Sequence, residues 1–355
     1  MKFVIFGLSI SSSWGNGHAT IWRGLCRALI GRRHRIVFFE KDVPYYAAHR
    51  DLNEIPGGDL ILYNQWEAVR SRAERELADA DIGIVTSYCP DGIAASDLVL
   101  SSSAGLHVFY DLDTPVTLDA LKKGISLSYI GPHGLRHFDL VLSYTGGESL
   151  NELKLYLGAK QVQPLYGSAD PDAHKPVAVS AENAADLSYL GTYAQDRQDV
   201  LRRLFIEPAR RLVDRKFKIG GSLYPDDFPW LPNISYERHL APPDHPSFYC
   251  ASKLTLSVTR QVMAQTGFCP SGRLFEASLC GVPILTDNWK GLEYFFEPGR
   301  EVLTAATTEE SIDAIELPLD ELKKIAQRAR DRTLSMHTAE CRGRELEDII
   351  CAAQG

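Results

Sequence analysis

The sequence of 355 residues holds no uncharged apolar run near the ~18 to 20 residues that a membrane-spanning helix needs, so no spanning helix is expected. It has no Cys-x-x-Cys pair. Its seven cysteines (Cys26, Cys89, Cys250, Cys269, Cys280, Cys341 and Cys351) are odd in number and scattered. That excludes a disulfide framework or zinc knuckle and points to reduced, mostly buried thiols in the cytoplasm. A basic block is also missing. With 38 Lys and Arg against 46 Asp and Glu the formal charge is −8, so a nucleic-acid backbone, held chiefly by cationic side chains, is not the expected partner. A local anion site remains open. The 27 Gly and 19 Pro are too few for a disordered or fibrous chain, and no repeat or low-complexity tract is present. The opening MKFVIFGLSI lacks a small-residue cleavage pattern behind it and reads as a buried first strand rather than a signal peptide.

What the sequence has in abundance is alternation. Short β-branched and apolar runs (KFVIFGLSI, RIVFFE, DLILYN, DIGIVTSY, GLHVFYD, DLVLSY) are separated by polar or helical segments, the signature of βαβ units and a parallel sheet. Around 164 to 186 the pattern lapses into a Pro-, Ala- and Asp-rich linker. It then restarts with LSYLG, a helix over about 196 to 214, KFKIGG, ISYERHL, LTLSVT, the helix GRLFEASLCG, PILTD and EVLTA. The end of the chain is helical with dense Arg and Glu. The expected fold is α/β, two Rossmann-like doubly wound domains facing a central cleft, since open α/β sheets bind ligands at the carboxyl ends of their strands.

Several residues fall at those ends. The loop SSSWGNGH (11–18) follows the first strand, with Trp14, Asn16 and Gly17 leading to His18 at the helix start. A neutral imidazole there can take a proton from a hydroxyl if a carboxylate holds its other nitrogen. Asp111 and Asp113, in YDLDTP after a strand, are the candidates. The plainer alternative is that His18 caps the helix and the two aspartates shape a turn. Trp14, Trp22, Tyr45 and Tyr46 either stack on a sugar or flat acceptor or pack in the core. In the second half, Ser271 and Gly272 open a helix carrying Arg273 and Glu276, a pattern suited to a diphosphate and a ribose or else to a surface ion pair. Arg260, Asp287, Glu293 and the pair Gly191 and Thr192 lie at other strand ends or loops and suit contacts to a nucleotide or sugar.

The run GRLFEASLCGVPILTDNWKGLEYFFEPGREVL resembles the donor-site signature of group 1 glycosyltransferases of the GT-B fold, most closely the spore-maturation-type branch. SSWGNGHATIWRGLCRALIGRRHRIVFFEKDVPYY, YDLDTPVTL and PLYGSADP fit bacterial members of that branch. The resemblance implies an acceptor-binding domain over 1–175, a nucleotide-sugar-binding domain over 176–335, and a last helix, 336–355, packing back on the first domain. It implies a UDP-, TDP- or GDP-sugar donor, a hydroxyl acceptor on a glycan or small molecule, and no metal or other cofactor. Glu276 matches the family's ribose-binding glutamate, Arg273 its phosphate side, and Glu293 its sugar-contacting loop acid. Gly17-His18 resembles the Gly-His of related inverting enzymes, where the histidine is the base and an aspartate about a hundred residues later orients it.

The sequence departs from the pattern at Phe268, where the first glutamate of Glu-x7-Glu would fall. The reading is therefore an inverting glycosyltransferase. A nucleotide-sugar 2-epimerase-like isomerase and a non-catalytic nucleotide-sugar-binding partner subunit stand as alternatives.

Overall fold

The computed structural model describes residues 1–180, 182 and 184–355, and no helix among them is long and apolar enough to cross a membrane. The chain divides into two compact units, residues 1–167 with 339–355, and residues 168–338.

The first unit is built on seven parallel strands: β1 (Lys2–Gly7), β2 (Arg35–Lys41), β3 (Asp59–Tyr63), β4 (Ile82–Thr86), β5 (Leu106–Asp111), β6 (Leu140–Ser143) and β7 (Val162–Pro164). Their order is β3-β2-β1-β4-β5-β6-β7. The reversal between β1 and β4 opens a crevice at the carboxyl ends of those two strands. Every residue of β1 and β4 is buried, because helices cover both faces of a parallel sheet and its inner strands read as continuous apolar runs. The helix Gly17–Gly31 buries Ala19, Trp22, Leu25, Cys26 and Leu29 at helical spacing. Trp22 belongs to the core, packed edge-on against Phe38 and Tyr110.

The last helix, Ala339–Gln354, belongs to this first unit. It packs on the helix Gly17–Gly31, with Gly343 set against Ala28, and Glu340 and Glu347 pair with Arg32.

The second unit has six parallel strands: β8 (Ala185–Leu190), β9 (Phe217–Gly221), β10 (Ile234–Arg238), β11 (Ser252–Ser257), β12 (Ile284–Thr286) and β13 (Leu303–Thr304), in the order β10-β9-β8-β11-β12-β13. Its reversal lies between β8 and β11. The expected single helix over about 196 to 214 is interrupted by a wide π-helical turn, Arg202–Ile206. Pro208, in the short helix that follows, has no N–H to give the preceding turn. The helical C-terminal stretch is likewise two helices, ending at Met336 and restarting at Ala339, where the chain passes from one unit to the other.

Candidate active site

In the first unit, three strand ends meet at the reversal. Glu40, one residue before the end of β2, is only 1% exposed. It accepts from the hydroxyls of Ser9 and Ser11 and from the amides of Ile10 and Ser11. This fixes the loop after β1. Asn16 caps the helix Gly17–Gly31 by accepting from the His18 amide at 3.0 Å, and its amide nitrogen donates to the carbonyls of Ser9 and Ser12. Its side chain is thus committed to the loop, whereas Gly17 is exposed with open space where a Cβ would project. Trp14 stacks on His49 with centroids 4.0 Å apart.

His18 and Asp113, 95 residues apart in the chain, come together with Nε2 to Oδ2 at 2.6 Å. A carboxylate only accepts, so Nε2 carries the proton and the lone pair lies on Nδ1. That nitrogen is enclosed and unpartnered. Asp113 also accepts from Ser87 Oγ, just past the end of β4, at 3.4 Å. Asp111 takes no part in the pair. It is fully buried and accepts from the Asp113 amide and the Thr117 hydroxyl. Burial, with the Asp113 charge close by, pushes its carboxyl up to about 7. Of the two aspartates named from sequence, Asp113 is the one that meets the histidine.

In the second unit, cations gather at the ends of β8 and β11. Arg273 Nη1 donates to the Leu190 carbonyl at 2.9 Å, Nη2 to that of Val258 at 2.8 Å, and Nε to Ser271 Oγ at 3.0 Å. Its guanidinium lies 5.5 Å from the Tyr189 ring centroid. Arg273 therefore braces two strand ends. A Cβ on Gly191 would stand 2.8 Å from the Tyr189 hydroxyl and 3.1 Å from Arg273 Nη1, so only glycine fits there without displacing the guanidinium.

Arg260 pairs with Asp196 at 2.9 Å. Between these lies Arg197, which sequence reasoning did not single out. It donates to the Thr192 carbonyl while its Nε is enclosed without a partner. Burial, with Arg273 and Arg260 nearby, lowers its pKa. Arg273 stands beside Gly191, Arg197 on the Thr192 carbonyl and Arg260 near Arg197, so three like charges crowd this edge with Asp196 as a carboxylate partner. The helix Gly272–Leu279 adds its amino end, where the Ser271 hydroxyl does not cap the amides because it serves Arg273 instead. No sequence signal separated Arg197 from the other charges of AQDRQDV.

Glu276 is buried on that helix and accepts from the Tyr249 hydroxyl at 3.3 Å. Asp287 is buried and accepts from the Thr259 amide at 2.8 Å, tying the loop after β12 to the residue before Arg260. Glu293 is exposed in the first turn of the helix Leu292–Phe295. Phe268 has φ of +47°, and its ring lies so close over Gly291 that a Cβ there would come within 2.6 Å.

Residues 197–348 match the family described as glycosyl transferase-like. No curated protein matches the sequence. Among solved structures, the chain is similar to sucrose-phosphate synthase from Thermosynechococcus elongatus, at 13% identity and TM-score 0.69, covering 99% of this chain and 98% of that one. It is similar to Anabaena Alr3699/HepE in complex with UDP-glucose, at 12% identity and TM-score 0.67, covering 99% and 100%. It is also similar to an alpha-glucosyltransferase (AGT) in complex with UDP-glucose and DNA containing an abasic site, at 12% identity and TM-score 0.71, covering 99% of each. The fold is the two-sheet α/β architecture of GT-B glycosyltransferases.

Proposed function

We propose that the protein transfers a sugar from a nucleotide diphosphate sugar, of the UDP class, to an acceptor hydroxyl without a required metal. The observation that carries this reading is the cluster of Arg273 beside Gly191, Arg197 on the Thr192 carbonyl and Arg260 near Arg197, at the amino end of the helix Gly272–Leu279. Diphosphate is the anion such a cluster suits, and it is the leaving group on which charge grows as the glycosidic bond breaks. Uridine is the base chosen because the similar HepE and AGT structures are complexes with UDP-glucose and UDP. Glu276 takes the ribose hydroxyls and Glu293 the sugar.

The acceptor is deprotonated by His18. Asp113 holds Nε2–H, the acceptor O–H proton passes to Nδ1, the oxygen forms the new bond to the anomeric carbon, and the electron pair of the old bond leaves with the diphosphate. The orphaned Nδ1 supports this, since a donated hydroxyl would complete it; reaching it requires the enclosing side chains to give way. A single displacement of this kind inverts the anomeric centre. Phe268 supports inversion, as no carboxylate stands where the Glu-x7-Glu pattern has one. Asp111 shapes the turn that presents Asp113, and Asn16, Gly17 and Trp14 form the loop facing the acceptor. The acceptor is a glycan or small molecule of the spore-maturation-type branch's chemistry; the −8 charge speaks against the DNA named with AGT. Seven free cysteines fit a cytoplasmic setting.

The test is a thermal-shift screen against UDP, TDP, GDP and their glucose conjugates, with Arg260→Ala as the variant least tied into the fold. A shift with UDP and UDP-glucose, reduced in the variant, is expected by mass action. No shift with any nucleotide would overturn the donor assignment. NMR of the product then reads the anomeric configuration.

A further inference from the structure

Below the donor helix, two histidines with unpartnered ring nitrogens converge on the carboxylate of Glu276, which already accepts from Tyr249. His174, in the turn that follows Asp170, is 2% exposed, and both its ring nitrogens are enclosed without a hydrogen-bond partner. His245, at the start of the helix His245–Cys250, has its Nδ1 enclosed and unpartnered as well. That nitrogen lies 3.8 Å from Glu276 Oε2, too far for a hydrogen bond. The two imidazoles face each other at 5.9 Å between centroids, tilted by 40°. One donor atom from each of the three residues lies within 4.8 Å of the others.

An enclosed imidazole nitrogen without a partner is destabilising. Each imidazole offers one lone pair, so His174 and His245 together present two nitrogen ligands beside one carboxylate oxygen, a set that a single cation accepting lone pairs would satisfy, the other His174 nitrogen keeping its proton. Donor atoms bound to one zinc ion at about 2.0 to 2.2 Å stand about 3.3 to 3.6 Å apart. The observed separations close to that by small side-chain rotations. Two imidazoles with one carboxylate select a borderline transition metal over calcium or magnesium, which take oxygen ligands.

We propose that His174, His245 and Glu276 bind one divalent ion of the zinc class, with a fourth position left to water. The ion ties the segment after Gly167 to the helix that carries Arg273 and Glu276, and it fixes Glu276 Oε2. Oε1, which lies 3.7 Å from where a Cβ of Gly272 would be, stays free for a ligand hydroxyl. The site shares Glu276 with the sugar-transfer reading but does not require it.

The test uses the full-length protein stripped by a chelator and titrated with Co2+, followed by the visible bands of tetrahedral cobalt, then with Zn2+ as competitor. One equivalent of Co2+, displaced by Zn2+, is expected. His174→Ala and His245→Ala, checked for folding by circular dichroism, should each lower the affinity by about 100-fold or more. His174→Gln serves if the alanine variant does not fold. Absence of cobalt bands, or histidine variants that bind as tightly as wild type, would overturn the proposal. UDP binding is measured on the same samples. Metal uptake without UDP binding defeats only the donor reading, and UDP binding without metal uptake defeats only this one.

Discussion

The carboxylate of Asp113 lies 2.6 Å from the Nε2 of His18, joining the turn after β5 to the first turn of the helix after β1. Neither group caps its own helix with its side chain: Asn16 caps the first, and the Asp113 side chain makes no cap bond to the second. Both side chains are thereby left for each other.

The pair acts as a unit in the proposed chemistry, so either member removed costs turnover. His18→Ala is expected to lower kcat about 10²- to 10⁴-fold while UDP binding stays near wild type. Asp113→Asn, which no longer holds the Nε2–H tautomer, should fall in the same range. Steady-state kinetics with UDP titrations checks this. His18→Ala turning over within a few-fold of wild type, beside a dead Asp113→Asn, would move the base to the carboxylate.

Arg273 combines bracing with binding, and its loss should show in stability as well as affinity. Arg273→Ala leaves the carbonyls of Leu190 and Val258 without their donors. A destabilisation of about 2 to 4 kcal/mol is expected in urea unfolding. Arg260→Ala, whose one ion pair is part-exposed, should change stability by less than about 1 kcal/mol and still weaken UDP. Equal stability losses in the two variants would contradict the bracing role.

Asp111 gives the first unit a pH signature. Its carboxyl sits at about 7 against an ordinary value of 3.8, so the folded state binds a proton that the unfolded chain has released between those values. The stabilisation is present in full below about pH 4 and is lost as pH rises toward 7, to an extent of about 4 kcal/mol. Asp111→Asn, which keeps the acceptor oxygen for Asp113 and Thr117, should flatten that decline. Unfolding free energies of the two proteins at pH 4.5 and 7.5 decide it; parallel curves would exclude Asp111 as the source.

Glu40 has no part in the chemistry and holds the loop that presents His18. Glu40→Ala strands two amides and two hydroxyls in the interior, for an expected loss of about 3 kcal/mol or more. Because the loop from Ser9 to Asn16 then loosens, turnover should fall together with stability. Turnover retained in full at a temperature where the variant is folded would show that the loop does not depend on it.

Sequence carried the strand pattern well because inner strands of a covered parallel sheet must be apolar throughout, and KFVIFG and IGIVT say so without help from elsewhere in the chain. It missed β7, whose three residues run into the Pro-rich stretch and pair only because β6 offers an edge. The helix around Pro208 was read as continuous, since periodicity does not register a wide turn. Arg273, Arg260, Gly191 and His18 were legible because each sits at a strand end or a helix start. Arg197 and Glu40 were not, because a single charge in a polar or apolar run carries no mark of the partners folding will bring to it.

By itself the sequence determined two parallel α/β units, a loop ending in Gly-His, and a helix opening on Ser-Gly-Arg, all of which follow from local periodicity and backbone chemistry. Which aspartate meets His18, how Arg197 and Arg273 come together beside Gly191 and Thr192, and why His174 lies against His245 and Glu276 were decided only by tertiary structure. Those contacts join residues up to 102 positions apart, and they depend on strand order, which places distant chain segments side by side.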